Sequence, residues 1–149
     1  MNTPWHQMTK RDVAARGLEE IAGRFRDEHF TVVEDAGRGR TRLRVARATG
    51  PSYEIRVATM RPPNGNYAFF TKASFRPAHD LFAALILLED GHEPSAFLIP
   101  STAWQEPTAL LRDRDYEGKA SPPEWGIQIS GKSRPLLEEF SFGRQVRLL

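Results

Sequence analysis

Two hydrophobic periods divide this chain. From Thr9 to His29 the apolar residues Ala14, Leu18, Ile21, Ala22 and Phe25 recur at three- and four-residue intervals, with Arg16, Glu19, Glu20, Arg24 and Asp27 between them. That spacing gathers one apolar stripe on a helix and predicts an amphipathic helix over the segment. Thr9 followed by Asp12 predicts its start, because a threonine oxygen can accept one of the orphan amide hydrogens of the first turn. Gly17 and Gly23 lower the helix propensity without breaking the period. The period then falls to two. Phe30 to Glu34, Thr41 to Ala48 and Ser52 to Met60 read as strands, the last with Tyr53, Ile55 and Val57 on one face and Glu54, Arg56 and Ala58 on the other. Gly50-Pro51 and the run Pro62 to Asn66 mark turns, and Asn66 to Lys72 reads as a further strand.

The second half is less periodic. Leu81 to Leu88 is continuously apolar and predicts a buried strand, with a short buried helix as the alternative that periodicity cannot separate from it. Ala96 to Ile99 predicts another buried strand. Pro100 to Trp104 and Pro135 to Phe140 read as short helices, Asp113 to Glu124 as a surface loop and Trp125 to Ser130 as a last strand. A helix, a run of strands and then mixed elements predict a mixed α/β class.

Composition narrows the chemistry. The 149 residues suit one domain over 1–149. With no cysteine, disulfides, thiolate zinc sites, iron–sulfur clusters and cysteine nucleophiles are excluded. The apolar run Leu81 to Leu88 falls far short of the ~20 residues a membrane helix needs, and no signal peptide pattern opens the chain, so the expectation is a cytoplasmic protein with no membrane partner. His6, His29, His79 and His92 lie in unrelated segments without zinc-ligand spacing. The serines lack the Gly-x-Ser-x-Gly context of a hydrolase nucleophile.

Lys+Arg exceeds Asp+Glu only by 21 to 19, which argues against non-specific DNA packaging. The distribution says more than the total. Arg38, Arg40, Arg42 and Arg44 recur at every second residue, so in an extended segment they share a face while Leu43 and Val45 point inward. If Ser52 to Met60 pairs antiparallel through the Gly50-Pro51 turn, Glu54 and Arg56 join that face. Guanidinium forks match phosphate oxygens, so the row suits an anion or nucleic acid. The plainer reading is a solvated face neutralised by Glu54 or Glu20. Lys72 and Arg76 among Tyr67, Phe69, Phe70 and Phe75 add a base-stacking hint, although aromatics more often fill cores. The candidate nucleic-acid residues are therefore Arg38, Arg40, Arg42, Arg44, Arg56 and Lys72.

Several segments carry a resemblance: Gly17 and Glu20 in the helix, Arg42-Leu43-Arg44-Val45, Ile55-Arg56-Val57-Ala58-Thr59, Tyr67 to Phe70, Leu81 to Leu88, Phe97 to Ser101 and Pro123 to Ile127. Together, over roughly residues 12 to 130, they resemble small uncharacterised bacterial members of the PD-(D/E)XK nuclease superfamily. The resemblance implies a restriction-endonuclease-like fold, three layers with a central mixed β-sheet flanked by helices. The family pattern runs Gly-x-x-x-Glu in a helix, Asp-Leu-x-Val on one strand and Ile-Gln-Val-Lys-Thr on the next. Aligned so, the family's Asp falls on Arg42, its Gln or Glu on Arg56 and its Lys on Ala58, and Glu20 alone remains. Magnesium takes oxygen ligands and arginine offers only donors, so this alignment implies a degenerate, catalytically inactive member with no cofactor. A second alignment places Asp35 as the first acid and Glu54-Ile55-Arg56 as Glu-x-Lys, which implies a magnesium endonuclease using Glu20, Asp35 and Glu54.

Three functional readings result. The leading one is an inactive nuclease-like protein that binds DNA, RNA or a protein partner through the basic face. The second is the magnesium-dependent endonuclease. The third is a structural homodimer with no nucleic-acid role.

Overall fold

The computed structural model describes residues 4–34, 41–116 and 121–149. Helix α1 (Lys10–Asp27) starts as its sequence predicts, with Thr9 Oγ1 accepting the Asp12 amide hydrogen at 3.1 Å. It ends in a reversed turn. His29 adopts φ 67°, its amide donates to the Arg26 carbonyl, and the Phe30 amide donates to the Phe25 carbonyl. This 6→1 and 5→2 pair satisfies two orphan carbonyls. The Phe25 and Phe30 rings meet edge-on at 5.2 Å, the apolar contact that accompanies such an ending.

The strands are β1 (Thr31–Glu34), β2 (Arg42–Ala46), β3 (Ser52–Met60), β4 (Tyr67–Thr71), β5 (Leu81–Leu87), β6 (Ser95–Pro100), β7 (Leu111–Arg114) and β8 (Glu124–Gln128), followed by a short helix α2 (Phe142–Val146). Five form a central sheet in the order β1-β2-β3-β5-β6. β3 and β5 are parallel and the other pairs antiparallel, so the sheet is mixed. A second, three-stranded antiparallel sheet runs β4-β8-β7.

Alternation assigns each face its cover. Leu43, Val45, Ile55, Val57, Phe82, Ala84, Ile86 and Leu98 pack toward α1 and α2. Met60, Leu81, Ala83, Leu85, Leu87 and Ile99 pack instead against Phe70, Ile127 and Leu111 of the second sheet and against Phe75 and Trp104. β5 is covered on both faces, which explains its unbroken apolar run and removes the helix alternative for it. The central mixed sheet with flanking helix is the expected architecture; the face away from α1 is covered mainly by strands. The segments expected as short helices at 100–104 and 135–140 are 3₁₀ turns, Ser101–Gln105 and Arg134–Phe140. The expected surface loop at 113–124 has strand at both ends, in β7 and β8.

Gly17 brings α1 down onto β3. A Cβ there would overlap Thr59 Oγ1 and stand 2.9 Å from Thr59 Cβ, which no rotamer change can move. Overpacking costs about 1–3 kcal/mol. Alanine in a helix regains ~1 kcal/mol over glycine. Gly17→Ala is therefore expected to lower stability by a net ~1 kcal/mol, read as a lower urea midpoint at unchanged slope. A midpoint at or above that of the parent would refute the close approach.

Candidate nucleic-acid interface

The turn between β2 and β3 is tight, and Gly50 supplies its φ of 127°, a value open mainly to glycine. The turn sets a register in which Arg42 lies directly opposite Arg56 and Arg44 directly opposite Glu54. The alternation that sends Leu43, Val45, Ile55 and Val57 toward α1 sends these four side chains to the other face. The second sheet covers that face further along β3, at Ala58 and Met60. Near Arg44 the face is open: its side chain is 56% exposed, and Val33, opposite it on β1, is 65% exposed.

Arg56 occupies the boundary between the open and covered parts. One Nη donates to the Ser74 carbonyl at 2.9 Å, and the guanidinium carbon stands 5.3 Å from the Phe70 ring centroid. Its Nε is buried with no hydrogen-bond partner among the described residues. Burial holds the Arg56 pKa below its ordinary value, Arg42 lowers it further, and Glu54 partly offsets both. Like charges directly opposite on paired strands are destabilising by up to ~1 kcal/mol. Glu54 does not cancel the pair outright, because its carboxylate is 3.7 Å from Arg44.

The Ser74 carbonyl is held in place. The Ser74 and Phe75 amides both donate to the Thr71 carbonyl. Phe75 is fully buried, stacked on Phe70 at 4.6 Å and edge-on to Trp104 at 5.5 Å. Trp125 Nε1 donates to the Phe75 carbonyl at 3.0 Å. Lys72 follows β4, with its ammonium bonded to Asp113 and 4.1 Å from the Trp125 ring centroid. Sequence reasoning named Arg42, Arg44, Arg56 and Lys72, and Trp125 only as one of several aromatics able to stack on a base; it missed Ser74 and the contact of Trp125 with Lys72. Nothing local marks a serine carbonyl or an indole as partners of cations more than ten residues away.

Of the three proposed acids, Glu20 and Glu54 do not meet. Glu20 is on α1, bonded to Arg24 at 2.9 Å and paired with Arg16 at 3.0 Å. Arg24 in turn donates to the Pro94 carbonyl, near the start of β6. Glu54 projects from the opposite face of the central sheet, beside Arg44. Asp35, with Arg38 and Arg40, lies outside the described residues. Among the described residues no group of three histidine, aspartate or glutamate side chains is placed to hold a metal ion. Those residues do not fit a magnesium centre, whose ligands must converge as oxygens. No described helix is long and apolar enough to cross a membrane.

No protein-family model matches the chain, and no curated protein matches it in sequence. Among solved structures it is similar to Hjc, a Holliday junction resolvase from the archaeal hyperthermophile Archaeoglobus fulgidus. The likeness covers 83% of this chain and 88% of that one, at 9% identity and a TM-score of 0.48. Identity that low transfers no residue role from one protein to the other.

Proposed function

We propose that this protein binds nucleic acid through the β2–β3 face, with Arg42 and Arg56 as the phosphate-gripping pair and Arg44 and Lys72 at the flanks, and that it does not itself cleave. One observation carries the reading: two arginines stand directly opposite each other, one half-buried against a fixed carbonyl, with the neighbouring Glu54 carboxylate 3.7 Å from a third arginine. A folded chain keeps an unfavourable cation pair at little cost when an anion bridges it, and a phosphate oxygen is the acceptor that guanidinium forks match best. The positions that align with the family's metal-binding acids carry Arg42 and Arg56, which supports binding over cleavage. Arg38 and Arg40 continue the row in sequence and belong to the same proposal.

The test is the salt dependence of binding. Each phosphate neutralised contributes a slope of about −0.7 to −0.9 to log affinity against log salt. Engagement of two to four cations predicts a slope of roughly −1.4 to −3.6, or an about 7- to 150-fold loss between ~50 and ~200 mM salt. A labelled single- or double-stranded oligonucleotide followed by fluorescence anisotropy reads this directly. A flat salt response, or no retention at low salt, would sink the proposal. Plasmid incubated with the protein and magnesium or manganese is expected to stay intact; nicking under either ion would restore the endonuclease reading.

A further inference from the structure

The outer face of the second sheet carries a group of residues that the basic face does not use. Tyr67, Phe69 and Thr71 of β4, Glu124, Gly126 and Gln128 of β8, and Arg112 and Arg114 of β7 share this face by alternation. Phe69, Gly126 and Arg112 form one row across the three strands. Phe69 is 53% exposed, although an aromatic ring normally buries most of its area.

The surroundings hold this ring as a rigid shelf. Gly126 lacks a side chain, and the Tyr67 ring fills the space, since a Cβ there would overlap the phenol. The Tyr67 hydroxyl donates to the buried Glu124 carboxylate, and burial with that bond raises the phenol pKa. Arg114 covers the Tyr67 ring at 4.5 Å. Phe69 leans on Tyr67, with ring centroids 6.3 Å apart and 25° between the planes. Among the described residues of these three strands the one carboxylate on the face is thus buried and bonded, while Arg112 is exposed at the far end of the Phe69 row.

We infer that Phe69 is a stacking platform for an unpaired base of single-stranded nucleic acid, with Arg112 meeting the adjoining phosphate. An exposed ring in one cross-strand row with an exposed arginine matches the two features such a strand offers, a flat base and a charged backbone, at once. A second copy of the chain would present the same arginines to one another, so charge complementarity favours the polyanion. This platform is independent of the Arg42 and Arg56 reading, because it lies on a different sheet and uses a different contact.

The experiment compares labelled oligothymidylate with an abasic phosphodiester chain of equal length, by anisotropy against the intact protein. Phe69→Ala is expected to weaken oligothymidylate binding roughly tenfold and to leave the abasic chain unchanged, and Phe69→Trp is expected to restore the difference. Phe69 is exposed, so neither variant should unfold the chain. Equal losses on both ligands, or no loss on either, would overturn the inference. So would a parent protein that binds both ligands alike, an outcome that leaves the phosphate-gripping pair standing. If Phe69→Ala instead changes the sedimentation of the free protein while oligonucleotide binding holds, the ring serves self-association and the platform is refuted.

Discussion

The double variant Arg42→Glu, Arg56→Glu is expected to lose nucleic-acid affinity by a hundredfold or more at low salt, with the salt slope reduced by about two. Each change removes one phosphate contact and adds a repelling charge, and both fall in the same cross-strand row. The single variant Arg56→Met separates function from architecture. A charge-assisted hydrogen bond is worth about 1.5–3 kcal/mol, so its removal predicts a loss of at least tenfold in binding. Stability should move the other way. Methionine can lie on Phe70 where the guanidinium now stands, and it relieves the opposition to Arg42. The thermal midpoint is expected to hold or rise, an effect of up to ~1 kcal/mol. Reduced stability with unchanged binding would instead make Arg56 a strut between β3 and the Ser74 carbonyl.

That pair was largely legible from local pattern. Alternation from Ser52 to Met60 assigns Arg56 a face, and the glycine turn at Gly50 fixes which β2 residue it meets. α1 was legible as an element, because Ala14, Leu18, Ile21, Ala22 and Phe25 repeat at helical spacing, but its buried stripe runs through Val13 and Gly17 in place of Ala14 and Leu18, a rotation that packing on β3 sets. β7 was not. Leu-Arg-Asp-Arg carries one buried residue, Leu111, and its inward Asp113 is drawn to Lys72, so no apolar alternation survives. α2 was missed because five residues ending the chain offer too few turns to establish a period. The greater gap concerns where the cations go. Arg56 to Ser74, Lys72 to Asp113 and Arg24 to Pro94 are tertiary choices set by how two sheets and a helix dock. The same docking, invisible in any one segment, puts Glu20 and Glu54 on opposite faces and leaves Phe69 exposed while Phe70 is buried.

Trp104→Ala is expected to cost about 3–5 kcal/mol, a large share of the ~5–15 kcal/mol that holds a domain of this kind. Trp104 is fully buried, and its Nε1 donates to the Gly126 carbonyl at 2.9 Å. Its ring lies between the end of the central sheet and the second sheet, so deletion leaves a cavity and removes the indole's hydrogen bond to the Gly126 carbonyl together. Trp104→Phe keeps most of the ring and loses the hydrogen bond, predicting about 1–2 kcal/mol. Urea midpoints at constant slope distinguish the two. A loss under 1 kcal/mol for alanine would mean that the second sheet docks without this anchor. The consequence extends to the interface. Trp104 supports Phe75, Phe75 stacks on Phe70, and the residue before Phe75 offers its carbonyl to Arg56. Under conditions where the alanine variant is still folded, its nucleic-acid affinity should fall toward that of Arg56→Met, because a guanidinium without its fixed acceptor is free to leave the groove. Full affinity in a folded Trp104→Ala protein would show that Arg42 and Arg56 grip phosphate without help from the second sheet.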